Sequence, residues 1–484
     1  RRAGPTPFSQ PVAEHPHSEA RAMTGGLVYG GSALPGLRGA YLYADYSTGR
    51  IWGIRHDGRE ITWHQLIADT PLNITGFGTD SKGEILICDH QPGDMGGFYR
   101  LVPAPPPPKD QPPFPGRLSE SGLFADVAKH AMVAGVVPYE PASPLWSDGT
   151  HKARFFALPP AAGRDGAVVP ARIGVTNARG WNFPDGTVLV KSFAIDAVEG
   201  DPSTRRWIET RFMLKEQGEW AGYSYEWLDD QTDAVLVSAA GKDREYSIAG
   251  SATAPAVKRQ WHYPSRTECM VCHSRASNYV LGLCTVQLNR DFDYGSSLGP
   301  EHVSGNQLGV LEHLGLLEVN WWGDAVNGLR GRAAKAGVPE EDRGAWVGRQ
   351  LASGDPDAPT YQGRRSKLLA RAPAATKRLV NPLDESHPLE ARARSYLHSN
   401  CSSCHVFAGG GNAQIDLEYL TAYETRPLDA MKAVDVPPLH ATFDLPDARL
   451  VAAGHPERSV LLARMNRRGP GQMPQLATSV IDEK

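Results

Sequence analysis

Two five-residue strings constrain this chain more than anything else in it. Cys401-Ser402-Ser403-Cys404-His405 reads C-S-S-C-H, and Cys269-Met270-Val271-Cys272-His273 reads C-M-V-C-H. C-x-x-C-H is the attachment signature for c-type haem. Two thiols three positions apart on one helical turn reach the two vinyl groups of one porphyrin. The next residue then presents its imidazole to the iron. A zinc ribbon would need two C-x-x-C pairs about 15–20 residues apart. Here the pairs are far more widely separated, and each is followed by His. A thioredoxin-like redox motif would need a βαβ context, which the surrounding pattern lacks. The expectation is two covalently attached haem c groups, held by Cys269 with Cys272 and by Cys401 with Cys404. His273 and His405 are the expected proximal iron ligands.

At 484 residues the chain is too long for one core, so two to four domains are expected. Its net charge of −4 carries no basic excess, which argues against nucleic acid as a partner. No run of 18 or more apolar residues occurs, so no transmembrane segment is expected. The chain begins Arg1-Arg2-Ala3-Gly4-Pro5 without Met or an apolar leader, and is read as a processed or incomplete product. Families carrying C-x-x-C-H attach haem outside the cytoplasm, so a periplasmic or other extracytoplasmic location is expected. Of the 6 Cys, the motifs use four. Cys88 and Cys284 remain, as two buried thiols or as one disulfide.

Residues 1–101 alternate Gly-rich turns with short β-like runs: Leu27–Tyr29, Gly39–Tyr46, Arg50–Ile54, Gly83–Cys88 and Gly97–Leu101. Short strands at regular turn spacing predict a sandwich or propeller. The strings T-G-G-L-V-Y-G-G (24–31) and G-A-Y-L-Y-A-D-Y-S-T-G-R-I-W-G-I (39–54) resemble the closing blades of soluble sugar and sorbosone dehydrogenase-type β-propellers. That resemblance implies a partial β-propeller of one or two blades. It implies pyrroloquinoline quinone or calcium only where a full propeller is present, and no residue here is assigned to either. Residues 102–116, V-P-A-P-P-P-P-K-D-Q-P-P-F-P-G, read as a stiff Pro-rich linker.

Residues 117–290 read as a β-rich domain ending in the first haem motif. Candidate strands are Lys152–Leu158, Ala171–Thr176, Thr187–Ile195, Trp207–Lys215, Ala234–Ser238 and Gln260–Tyr263. The strings P-L-W-S-D-G-T-H-K-A-R-F (144–155), W-N-F-P-D-G-T-V-L-V-K-S-F (181–193) and Y-E-W-L-D-D-Q-T-D-A-V-L-V (225–237) resemble those of large multidomain c-type cytochromes that couple a propeller to two haems. F-P-D-G-T-V-L-V-K (183–191), R-F-M-L-K (211–215) and then C-M-V-C-H also resemble the order in β-sheet cytochromes c-prime and their lysine-crosslinked relatives. That likeness implies a five-coordinate haem lying on a sheet, with Lys191 or Lys215 as the crosslinking residue. The distal side of the first haem stays open: His262, His302, His313, Met213 or no residue could fill it.

Residues 291–385 read as a helical connecting region, with helical spacing over Asn306–Leu317 and a helix start at Pro339-Glu340-Glu341-Asp342. Residues 386–484 read as a C-terminal all-α cytochrome c domain. A helix from Ser386-His387-Pro388 runs into Cys401, and Gly469-Pro470-Gly471-Gln472-Met473-Pro474-Gln475-Leu476 lies downstream. An M-P-x-L loop after C-x-x-C-H resembles the distal methionine loop of small cytochromes c. The resemblance assigns Met473 as the distal ligand, with Met465 as the fallback.

The fold class expected is therefore multidomain: a partial β-propeller, a central β-rich haem domain and a C-terminal all-α cytochrome c domain. The leading function is a dihaem c-type cytochrome relaying electrons from a quinoprotein-type propeller dehydrogenase to a periplasmic acceptor. Its partners would be redox proteins, an upstream propeller portion or dehydrogenase, and other cytochromes. One alternative is an enzyme acting on hydroxylamine, nitric oxide or peroxide at an open five-coordinate first haem. Another is a structural haem subunit of a larger cytochrome assembly.

Overall fold

The computed structural model describes residues 11–483, leaving out 16–18, 21, 71, 91–96, 104–113, 163–166, 177–178, 251–254, 296, 298–301, 319–328, 353–375, 407–408, 410, 412, 422–423, 440 and 477. Most of the Pro-rich linker lies outside the described residues. The protein is β-rich with short helices and divides into two compact units, of which Arg1–Phe114 and Pro115–Cys269 are the largest segments. Among the described residues no helix is long and apolar enough to cross a membrane.

The first unit is built of two antiparallel meanders. β1 (Met23–Val28), β2 (Tyr41–Asp45), β3 (Arg50–His56) and β4 (Ile61–Asp69) pair in chain order, as do β5 (Ile74–Thr79), β6 (Ile85–Asp89) and β7 (Gly97–Arg100). Their apolar sides meet in two clusters. Ala44, Ile51, Leu72, Ile74 and Ile87 form one, and Tyr29, Ala40, Leu42 and Ile85 the other. β4 and β5 were not evident from sequence because polar residues interrupt their apolar pattern.

The second unit centres on a six-stranded antiparallel sheet whose strands follow chain order. These are β8 (Val137–Pro138), β9 (His151–Ala157), β10 (Val188–Asp196), β11 (Arg205–Glu216), β12 (Glu219–Trp227) and β13 (Ala234–Leu236). β10 and β11 are rich in β-branched and aromatic residues, which suit a pleated half-buried surface. A hairpin of β14 (Lys242–Ile248) and β15 (Val257–Tyr263) covers one end of the sheet. Phe193, Ile195, Ile208, Val237, Tyr246, Ile248, Trp261 and Tyr263 are buried there together. Each large side chain in that cluster contributes roughly 1.5–3 kcal/mol through burial. The strand pattern missed β12 and β14: Gly222 interrupts the first, and the second opens on Lys242-Asp243-Arg244-Glu245.

The connecting region carries helix where the spacing and the Pro339 start predict it, together with a hairpin that was not expected. Helices at Gln307–His313 and Arg343–Ala352 are present, but Asp291–Gly295 and Val303–Asn306 form a hairpin. Its strands are too short and polar for periodicity to reveal them. In the C-terminal region Leu389–Cys401 and Val460–Met465 are helical, and much of the rest is turn and irregular backbone.

Side chains tie that region to the sheet domain. Gln287 accepts from Ser143 N–H at 2.9 Å and donates to the Ser399 hydroxyl at 2.9 Å. Asn400 accepts from Trp146 N–H at 2.7 Å. Asp148, 4% exposed, holds the chain's end: its carboxylate accepts from Thr478 Oγ1 at 2.6 Å and from the Ser479 and Val480 N–H groups at 2.9 and 3.1 Å.

Two histidines make the fold acid-sensitive. Burial drives His130 down to about 4, where it stacks on Trp207 at 4.0 Å with Nε2 2.8 Å from Ser192 Oγ. Burial, helped by Arg179 and Arg426, also drives His398 to about 4. Both are neutral in the fold, whereas an unfolded His titrates near pH 6.5. Above pH 6.5 neither matters. As pH falls from about 6.5 towards 4, the unfolded chain binds protons that the folded chain refuses. Each site then removes about 2–3 kcal/mol of stability. Denaturant midpoints measured at pH 7 and 4.5 are expected to show this loss, and His130→Gln is expected to shrink it. An equal drop in that variant contradicts the assignment.

Candidate haem sites

The C-terminal motif sits at the end of a helix. The Leu389–Cys401 helix ends at the first thiol, and Cys404 N–H and His405 N–H both donate to Cys401 O, at 3.1 and 2.9 Å. This turn places Cys401, Cys404 and His405 close together. All six cysteines are thiols rather than disulfides, Cys88 and Cys284 included. Burial pushes the Cys401 thiol up to about 12, with Cys404 adding to it. Leu397, Cys401, Leu450, Val451 and Leu461 pack against the buried cluster Ile415, Leu417, Met431 and Ala433. The first thiol therefore lies beside a contiguous apolar surface.

His405 is held from one edge. A Cβ added at Gly411 would lie 2.5 Å from its Nδ1 and 2.7 Å from its Cε1, so only glycine lets the loop approach this closely. Gly411 N–H donates to Cys404 O at 3.0 Å, and Leu417 N–H to His405 O at 2.8 Å. Burial and then the Arg464 charge hold the imidazole below its ordinary pKa, favouring the neutral form that ligates iron. Among the described residues, the buried Nδ1 has no hydrogen-bond partner.

Arg464 also anchors the methionine loop. Its carbonyl accepts from Met473 N–H at 3.0 Å, and its Nη1 donates to Gly471 O at 3.1 Å. The Arg464 and Arg467 guanidiniums lie 4.7 and 4.1 Å from the Phe443 ring centroid. Met473 and His405 thus share Arg464 as a neighbour. Met473 is half-buried in irregular backbone, whereas Met465 closes the Val460–Met465 helix.

The first motif lies in the Arg266–Cys272 helix, directly after β15. Glu268 accepts from Ser265 N–H at 2.8 Å and lies 3.0 Å from His262 Nε2. His262 Nδ1 is 2.7 Å from Asp243. Both ring nitrogens of His262 are therefore engaged. Burial opposes the charged ring, but Asp243 and Glu268 outweigh it and hold its pKa above the ordinary value. His302 pairs with Asp293 at 3.2 Å, and His313 is exposed.

Met213 differs from these histidines. A Cβ added at Gly222 on β12 would lie 2.6 Å from Cys269 Sγ and 3.3 Å from Met213 Sδ. Cys269 and Met213 therefore fill the space that a side chain at position 222 would claim. Gly222→Val is expected to displace Cys269 and lower covalent haem at the first motif severalfold, leaving the second loaded. Equal occupancy in peptide mass spectra of variant and parent contradicts this.

Register puts both candidate lysines on the sheet face that Cys269 covers. Lys191 pairs with Arg211, and Leu189 with Met213, which in turn pairs with Gly222. Lys215 pairs with Trp220, two residues from Gly222. Lys215 is anchored, donating to Phe183 O at 2.8 Å with Asp185 at 3.9 Å.

The donor set fits haem c at the C-terminal turn: two neighbouring thiols, a neutral imidazole and an apolar flank. The first turn supplies the same residue types beside a sheet face cleared by Gly222. Sequence reasoning did not find Gly222, Gly411 or Arg464, because their partners are remote or set by loop geometry. Among the described residues no group of three or more His, Cys, Asp or Glu is gathered to hold a bare metal ion. No protein-family model and no solved structure matches the chain.

Proposed function

We propose that this chain is a dihaem c-type cytochrome that relays electrons, receiving them from a quinoprotein-type propeller dehydrogenase and passing them to a periplasmic acceptor. The observation that carries the proposal is the C-terminal turn, where Arg464 both fixes the Met473 backbone and acts on His405. Haem bound there would supply reversible one-electron chemistry. His405 and Met473 would be the residues that hold the iron. Gly411 would fix the imidazole ring, and the cluster around Leu417 and Met431 would exclude water. The two meanders of the first unit support the reading of residues 1–101 as propeller blades, and the helix into Cys401 supports a cytochrome c domain over 386–484.

A second reading, chemistry at an open first haem, is favoured by the surroundings of its three candidate histidines, Met213 remaining beside Cys269. His262 is engaged at both nitrogens, His302 is paired and His313 is exposed. Carbon monoxide added to the reduced protein separates the two. Unchanged low-spin spectra at both haems support the relay. A ligand-shifted fraction equal to half the haem supports an open first site, and absence of covalent haem overturns both.

A further inference from the structure

The sheet face that Cys269 covers at Gly222 also carries a row of cations, two of them without a salt bridge among the described residues. Register sets Arg154 of β9 opposite Lys191 of β10, and Lys191 opposite Arg211 of β11. Three cationic side chains thus leave one face on adjacent strands, where neighbouring Cβ atoms lie about 5 Å apart. Lys152 shares that face, two residues before Arg154.

Arg211 is paired: its Nε and Nη2 donate to the two Glu209 carboxylate oxygens at 2.7 and 2.8 Å. Trp261 Nε1 donates to the same carboxylate at 2.9 Å. Glu209 is thereby committed to Arg211 and Trp261. Arg154 and Lys191 have no side-chain hydrogen bond or ion pair among the described residues, although Tyr139 and Glu140 act electrostatically on Arg154 and Glu209 on Lys191. Arg154 is only 7% exposed. Lys191 stands over the Phe193 ring at 4.9 Å, a contact worth far less than a salt bridge in a dry site.

Side-by-side cations on a half-buried sheet face repel, and burying a charge without a directly paired counter-ion is costly. Burial, then Arg154, Lys152 and Arg211, depress the Lys191 amine well below its usual range. Burial likewise brings Lys152 down to about 7, with Arg154 repelling it and Asp148 and Asp482 opposing the shift. A planar guanidinium beside an ammonium matches a carboxylate: the first donates in a fork, the second as a point charge. The cluster lies next to Cys269: Arg211 shares its strand face with Met213, two residues on, and Met213 Sδ and Cys269 Sγ both border Gly222.

We propose that Arg154 and Lys191, flanked by Arg211 and Lys152, form a carboxylate-binding site that takes the propionate groups of the haem attached through Cys269 and Cys272. The proposal rests on the dihaem reading. Carboxylates from another source, a small free dicarboxylate, share the chemistry, and the test separates the two.

The experiment compares the holoprotein with its Arg154→Gln and Lys191→Met variants in three readouts: covalent haem at each motif, the two midpoint potentials, and oxalate binding by calorimetry. Bound propionates would hold Lys191 protonated, and removing a cation near an iron disfavours the reduced state. Each variant is therefore expected to keep both haems and to lower the first potential while the second stays put, and the parent is expected to bind no oxalate. Oxalate binding by the parent that weakens tenfold or more in either variant places a free carboxylate in the same site. First-haem potentials unmoved in both variants, together with no variant-sensitive oxalate binding, overturn the proposal. Absence of haem on Cys269 and Cys272 in the parent sinks the dihaem reading separately, and the oxalate arm still tests the cluster.

Discussion

Met473→His is expected to lower the midpoint potential of the C-terminal haem by a few tenths of a volt. Axial ligands move haem potentials over roughly 0.8 V, and a soft thioether favours the reduced iron more than an imidazole does. Met473→Ala opens the sixth position instead, so the reduced variant is expected to bind carbon monoxide. Met465→Leu serves as the control. Met465 closes a helix, and replacing it leaves both potentials in place. A drop with Met465→Leu and none with Met473→His reverses the ligand assignment.

Asp148→Ala carries the largest expected cost to stability, about 2–4 kcal/mol, because hydrogen bonds to a charged acceptor contribute roughly 1.5–3 kcal/mol each and do not add fully. The carboxylate is buried and takes donors from Thr478, Ser479 and Val480. Its loss leaves the Ser479 and Val480 N–H groups without their acceptor, removes the Thr478 hydroxyl's contact and releases the C-terminal segment from the sheet domain. Trp146 Nε1, which donates to Val480 O at 3.0 Å, loses its acceptor position as well. Denaturant unfolding with limited proteolysis at residues 478–483 measures both effects. A midpoint unchanged within about 0.5 kcal/mol and no new cleavage contradict the latch.

What was legible in the sequence was local. The C-x-x-C-H strings, the helix running into Cys401 and strands such as Val188–Asp196 each follow from short-range spacing and residue type. The runs around Tyr41–Asp45 and Arg50–His56 were equally plain. What was hidden depends on register or on contacts between distant segments. Gly222 looks like a defect in a strand until Cys269, far along the chain, is seen to occupy its space. Arg154, Lys191 and Arg211 are scattered in sequence, and only the pairing of three strands lines them up. Asp148 meets residues 478–480 across most of the chain length. His262 illustrates the reverse case. Its position before the first motif makes it a candidate ligand, but Asp243 and Glu268 claim both its nitrogens.

Both motifs are proposed to hold covalent haem. Mass spectrometry of the denatured, thiol-alkylated protein, produced in a host that attaches haem c, tests this most directly. The expected result is a mass increase of two haems, no alkylation at Cys269, Cys272, Cys401 or Cys404, and alkylation at Cys88 and Cys284. A chain of unmodified mass with all six cysteines alkylated would contradict it.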